Sequence, residues 1–69
     1  MNTGNYNMAI GQLVHYRRMA VIAERGTPTY IGYISKLEAG ISVLGIAYDK
    51  DFDEVRRDVR EAYDSKYRY

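Results

Sequence analysis

Few residues of this 69-residue chain are equipped for chemistry. His15 is its one histidine and it has no cysteine, so no Cys/His metal constellation forms and no Ser-His-Asp triad finds support. His15 stands beside Arg17 and Arg18, the setting of a surface residue rather than of a general base. The acidic run Asp49, Asp51, Asp53 and Glu54 in DKDFDE offers oxygen ligands to a hard cation. It lacks the glycine and the terminal glutamate of an EF-hand loop, however. Carboxylates at the start of a helix explain it, because negative charge meets the positive end of the dipole there. GYISKLEAG has glycines at the wrong spacing for a phosphate loop, and no Lys-Ser or Lys-Thr follows. With no nucleophile motif or nucleotide fingerprint either, the sequence predicts no metal, no cofactor and no enzymatic activity. A domain this small also has little room for a ligand pocket.

Binding chemistry is better represented. The chain holds eight tyrosines against one phenylalanine and no tryptophan, and tyrosine supplies contact area with a polar handle at low entropic cost. Two clusters interleave tyrosine with basic side chains: HYRR, with Tyr16, Arg17 and Arg18, and SKYRY, with Lys66, Tyr67, Arg68 and Tyr69. Such residues are enriched at interface hot spots and also stack on bases while pairing phosphates. These seven residues form the expected partner-binding set, with the charged outer face of the last helix beside them.

The elements that must position them fit one domain. A polar lead-in covers residues 1–7 (MNTGNYN), and a single domain spans residues 8–69. MAIGQLVHYRRMAVIAERG reads as a helix after Asn7, with Gln12, His15, Arg18 and Arg25 on one stripe and Ile10, Leu13, Val14, Tyr16 and Ala20 among those covering the rest. IGQLVHYRRMAVIAE also resembles the opening strands of a small SH3-like barrel, but Arg17 and Arg18 would then fall on both faces, so the helix is preferred. Gly26, with Pro28 beyond it, is an orderly stop. At the other end Asp51 caps a helix whose Phe52, Val55, Val59, Ala62 and Tyr63 fall on one stripe, Glu54 completing a capping box. Asp53–Arg57, Arg57–Glu61 and Arg60–Asp64 are opposite charges four apart on its outer face.

Between them, TYIGYISKLEAGISVLGIAY reads as a β-hairpin. Thr29, Ile31, Tyr33, Ser35 and Leu37 fall on one face, Tyr30, Gly32, Ile34, Lys36 and Glu38 on the other, and a turn at Ala39–Gly40 precedes a strand from Ile41 to Tyr48. The expected fold is α+β: helix–β-hairpin–helix, with two helices on one face of a small antiparallel sheet. No apolar run approaches the ~20 residues that span a membrane, so a cytoplasmic protein without membrane contact is expected. A core this small suits a homodimer.

A second reading attaches to Ala23–Gly26 (AERG) followed by TPTYIGYISKLEAG. This stretch resembles the second helix, turn and third helix of the repressor-type (Xre-like) helix-turn-helix family. The resemblance covers about eighteen residues, and implies a DNA-binding regulator with Tyr33, Ser35 and Lys36 at the major groove and Arg17, Arg18 and Arg25 on phosphates. Two glycines, a proline and β-branched residues between Arg25 and Tyr33, and the strand-like ISVLGIAY after Gly40, favour the hairpin instead. Net charge is +1, short of the basic excess of a phosphate-binding domain. Residues 1–48 hold four basic and two acidic side chains, residues 49–69 six and seven. The leading expectation is therefore a non-catalytic binding protein that blocks or regulates another macromolecule stoichiometrically, a protein first and nucleic acid second. It is similar in style to small phage or mobile-element inhibitors of host defence nucleases, such as anti-CRISPR proteins. A purely structural oligomer subunit is the third reading.

Overall fold

The structure, a computed structural model, describes residues 3–67. Its elements are three helices, α1 (Thr3–Ile22), α2 (Pro28–Ala47) and α3 (Phe52–Tyr67), and the described residues contain no strand. The expected α+β fold is thereby corrected to a small all-α bundle. The hairpin from Thr29 to Tyr48 is one helix, and Gly40 lies inside it rather than at a turn.

The reason is on the surface of α2. Tyr30, Ile34, Leu37, Ile41, Leu44 and Tyr48 recur at alternating steps of four and three, the spacing of one helix face. Leu37, Ile41 and Leu44 are buried in the core. Before them stands a start signal: Thr27 is the N-cap, its hydroxyl accepting from the Tyr30 N–H at 3.2 Å, and Pro28 occupies the first turn, where its fixed φ and missing donor cost nothing. Burial of that face outweighs the strand preference of the β-branched residues, which spans only about 1 kcal/mol per site.

The helices run up, down and up. Tyr6 meets Tyr48 and Tyr16 meets Tyr33, while a Cβ on Gly40 would press on Leu13, so α1 and α2 are antiparallel along their lengths. Tyr6 bonds Asp58 and Arg18 lies over Tyr67, so α1 and α3 run together. The core is Ile10, Leu13 and Val14 of α1, Leu37, Ile41 and Leu44 of α2, and Val55 and Val59 of α3. Val55 and Val59, 0% and 1% exposed, sit at its centre. α1 begins at Thr3, inside the stretch expected as a lead-in, and so carries Tyr6 into the bundle.

Both connections are tightly built. In the first, Gly26 adopts a φ of 82°, a value that glycine reaches without a Cβ penalty. The second closes α2 with a Schellman arrangement: the N–H of Lys50 donates to the Gly45 carbonyl at 2.8 Å and that of Asp49 to Ile46 at 3.4 Å. Asp49 supplies the left-handed residue, with a φ of 53°. α3 then starts on Asp51, whose carboxylate accepts from the Asp53 N–H at 3.2 Å, as the sequence predicts. Glu54 does not return to Asp51 in a capping box; it holds the Lys50 ammonium at 3.0 Å.

Candidate functional site

The parallel course of α1 and α3 brings the two tyrosine–basic motifs together. The Arg17 guanidinium lies 5.0 Å from the Tyr63 ring and that of Arg18 lies 4.6 Å from the Tyr67 ring. The two rings are 4.8 Å apart, and Lys66 approaches Tyr67 at 5.5 Å. Each cation–π contact of this kind stabilises by about 0.5–1 kcal/mol at an exposed site, so the cluster fastens α3 to α1. Tyr16 is placed elsewhere, 6.2 Å from Tyr33 with Lys36 bridging both rings. Arg68 and Tyr69 lie outside the described residues.

Sequence spacing had hidden a second constellation. α1 packs on both other helices, whereas α2 and α3 touch less extensively, and between them opens a cleft of about 420 Å³. Its floor includes Leu37, Ile41 and Val59; its walls carry Arg17, Arg56, Arg57 and Arg60 with Glu38 and Asp53. Arg56 is committed, bonded to Glu38 across the cleft and 3.6 Å from Asp53. Arg17, Arg57 and Arg60 have no carboxylate partner among the described residues. The Nε of Arg17 is buried without any hydrogen-bond partner, and a buried donor in that condition costs about 1–3 kcal/mol. The cleft therefore holds unspent cationic hydrogen-bonding capacity above an apolar floor. Arg56, Arg57 and Arg60 were legible only as members of four-apart charge pairs; the pairs Asp53–Arg57, Arg57–Glu61 and Arg60–Asp64 do not form.

On the other flank of α3 the charges are acidic and already engaged. Tyr6 donates its hydroxyl to Asp58 at 2.5 Å, and its ring receives the Lys50 ammonium at 4.8 Å. Burial, then the bond to Asp58 and the nearby carboxylates, raises the Tyr6 phenol above its ordinary value. No group of three metal-ligating side chains converges among the described residues. Asp49 and Asp51 serve as helix caps, which is where that acidic run goes.

The remaining surface is the side of α2 away from its neighbours. Tyr33 and Gly40 face α1, and Glu38 and Gly45 face α3 through Arg56 and Phe52. The outer side presents Ile31, Val43 and Ile46, 55%, 63% and 77% exposed. Tyr33, Ser35 and Lys36, the residues that the repressor resemblance would place at a groove, do not share it: Ser35 points outward, whereas Tyr33 and Lys36 lie against Tyr16 of α1. α1 and α2 form an antiparallel hairpin rather than the steep crossing of a helix-turn-helix. Among the described residues no helix is long and apolar enough to cross a membrane. Set against protein-family models, curated proteins and solved structures, the chain matches none.

Proposed function

We propose that the chain is a non-catalytic binding protein that blocks or regulates a protein partner stoichiometrically, and that the cleft between α2 and α3 receives an acidic segment of that partner. The observation that carries this reading is the set of arginines around one cleft, Arg17, Arg57 and Arg60, that have no carboxylate partner among the described residues. Arginine suits the task because its planar fork pairs carboxylates bidentately. The floor of Leu37, Ile41 and Val59 adds apolar contact, as interface centres do. A net charge of +1 lacks the basic excess of a phosphate-binding domain, which favours an acidic peptide over a nucleic-acid backbone. Tyr16, Arg18, Lys66 and Tyr67 do not line this cleft.

The test is an NMR titration of the labelled protein with a peptide of alternating glutamate and leucine, and in parallel with duplex DNA. Salt-sensitive shifts at Leu37, Ile41, Arg57 and Arg60 with the peptide, lost in Arg57→Ala/Arg60→Ala, are expected. Shifts with DNA alone would transfer the site to nucleic acid, and no shift with either at low salt would remove it.

A further inference from the structure

The outer side of α2 carries an order of its own. Gly32, Ser35, Ala39, Val43 and Ile46 follow one another at steps of three or four, so they form one stripe along the helix. Ser35, Ala39, Val43 and Ile46 are exposed, and none of the five is charged. The helix has two charged side chains, and each is drawn to one edge: Lys36 toward Tyr16 and Tyr33, Glu38 toward Arg56. A helix surface that is both exposed and free of charge is unusual, because apolar residues right around a helix normally mean burial.

Side-chain size along the stripe is graded, from glycine and serine near the N-terminus through alanine to valine and isoleucine. Two such stripes laid antiparallel about a two-fold axis at Ala39 are complementary. Gly32 then faces Ile46, Ser35 faces Val43 and Ala39 faces itself. Every large side chain meets a small one, the condition for close interdigitated packing. No ion is desolvated in forming the contact. We propose that the partner of this face is a second copy of the chain, paired antiparallel through α2 with the two-fold axis at Ala39.

The area fits a modest dimer. The stripe from Gly32 to Ile46 is about 21 Å long, so pairing along it gives a contact below the ~1,200–2,000 Å² of stable interfaces. That is the range of weak, transient association, so the dimer forms and dissociates with concentration. The face lies apart from the cleft, whose α2 residues are Leu37, Glu38 and Ile41, so each copy keeps its cleft open. The pairing stands or falls independently of the proposed partner.

Because the chain has no cysteine, the register can be read by cross-linking. Ala39→Cys, mildly oxidised, forms a disulfide-linked dimer. Ser35→Cys or Val43→Cys alone does not, since like residues are too far apart to bridge, but a mixture of the two gives the mixed disulfide. Sedimentation equilibrium across the micromolar range shows wild-type dimer, and Ala39→Arg is monomeric with an unchanged helical spectrum, arginine being a good helix former at an exposed site. Ala39→Arg retains peptide binding in the cleft. A wild type that stays monomeric throughout, or Ser35→Cys cross-linking as readily as Ala39→Cys, overturns the pairing.

Discussion

α2 and α3 contribute to the same core and treat the rest of their surface in opposite ways. α3 buries Val55 and Val59 and surrounds them with charge, arginines toward the cleft and carboxylates toward Tyr6. α2 buries Leu37, Ile41 and Leu44 and remains largely apolar on its far side. The first arrangement is that of a helix whose outer face belongs to water. The second leaves apolar side chains in water with nothing among the described residues to cover them. The contrast teaches where to look for function: the charged cleft at the α2–α3 border, and the uncharged side of α2.

The largest effects should come from the shared core. Val55→Ala or Val59→Ala removes two methyl groups from a fully buried site, and each should cost roughly 2 kcal/mol, read as a fall in Tm of about 10 °C for a domain of this size. Equal losses on substituting Leu37 or Ile41 with alanine would sharpen the comparison, since both helices would then be anchored alike.

Glycines on α1 and α2 give opposite signs. A Cβ at Gly40 would press on Leu13, and one at Gly45 would come within 2.6 Å of the Phe52 ring and 2.9 Å of the Lys50 carbonyl. Gly40→Ala should therefore destabilise by about 1–3 kcal/mol, as overpacked cores do, despite alanine's better helix propensity. Gly11→Ala, with nothing within 4 Å, should stabilise by up to about 1 kcal/mol. Thermal melts of the two variants side by side check the sign.

Smaller effects sit at the ends of the helices. Asp49 holds a left-handed conformation at the end of α2, so Asp49→Gly should gain roughly 1 kcal/mol in a denaturant midpoint. The Tyr6 phenol, raised above its ordinary value of 10.0 by burial and by Asp58, is protonated more firmly in the folded state than in the unfolded one. Its contribution to stability is complete below about pH 10 and is lost as pH rises through the raised value. Tyr6→Phe should flatten the alkaline fall in stability, and ultraviolet titration should show one tyrosine ionising late. Smallest of all, Ile46→Ser on the outer face of α2 should change monomer stability by less than about 0.5 kcal/mol, while weakening dimerisation in sedimentation.

The same contrast explains what the sequence disclosed. α3 was legible because Asp51 marks its start and Val55 and Val59 stand out against charge. The body of α1 was legible in its apolar spacing, but the helix ends at Ile22 rather than at the stop expected at Gly26, so Arg25 lies outside it. α2 was not, because apolar residues all round it blur the helical period, and Ile, Val and Tyr then read as strand formers. Its signals were nevertheless present in Thr27-Pro28 and in the spacing from Tyr30 to Tyr48. The tyrosine–basic clusters were visible as residue types, but only the parallel packing of α1 and α3 shows Arg17 and Arg18 lying against Tyr63 and Tyr67. The arginines of the cleft were hidden by pairing them along α3, whereas Arg56 reaches across to Glu38.

Both the cleft and the outer face require that α2 run unbroken through Ala39 and Gly40. Backbone chemical shifts from Thr29 to Tyr48 test this most directly. Helical shifts throughout, with slow amide exchange from Leu37 to Leu44, are the predicted result. Extended shifts on either side of a turn at Gly40 would contradict the bundle and remove both surfaces with it.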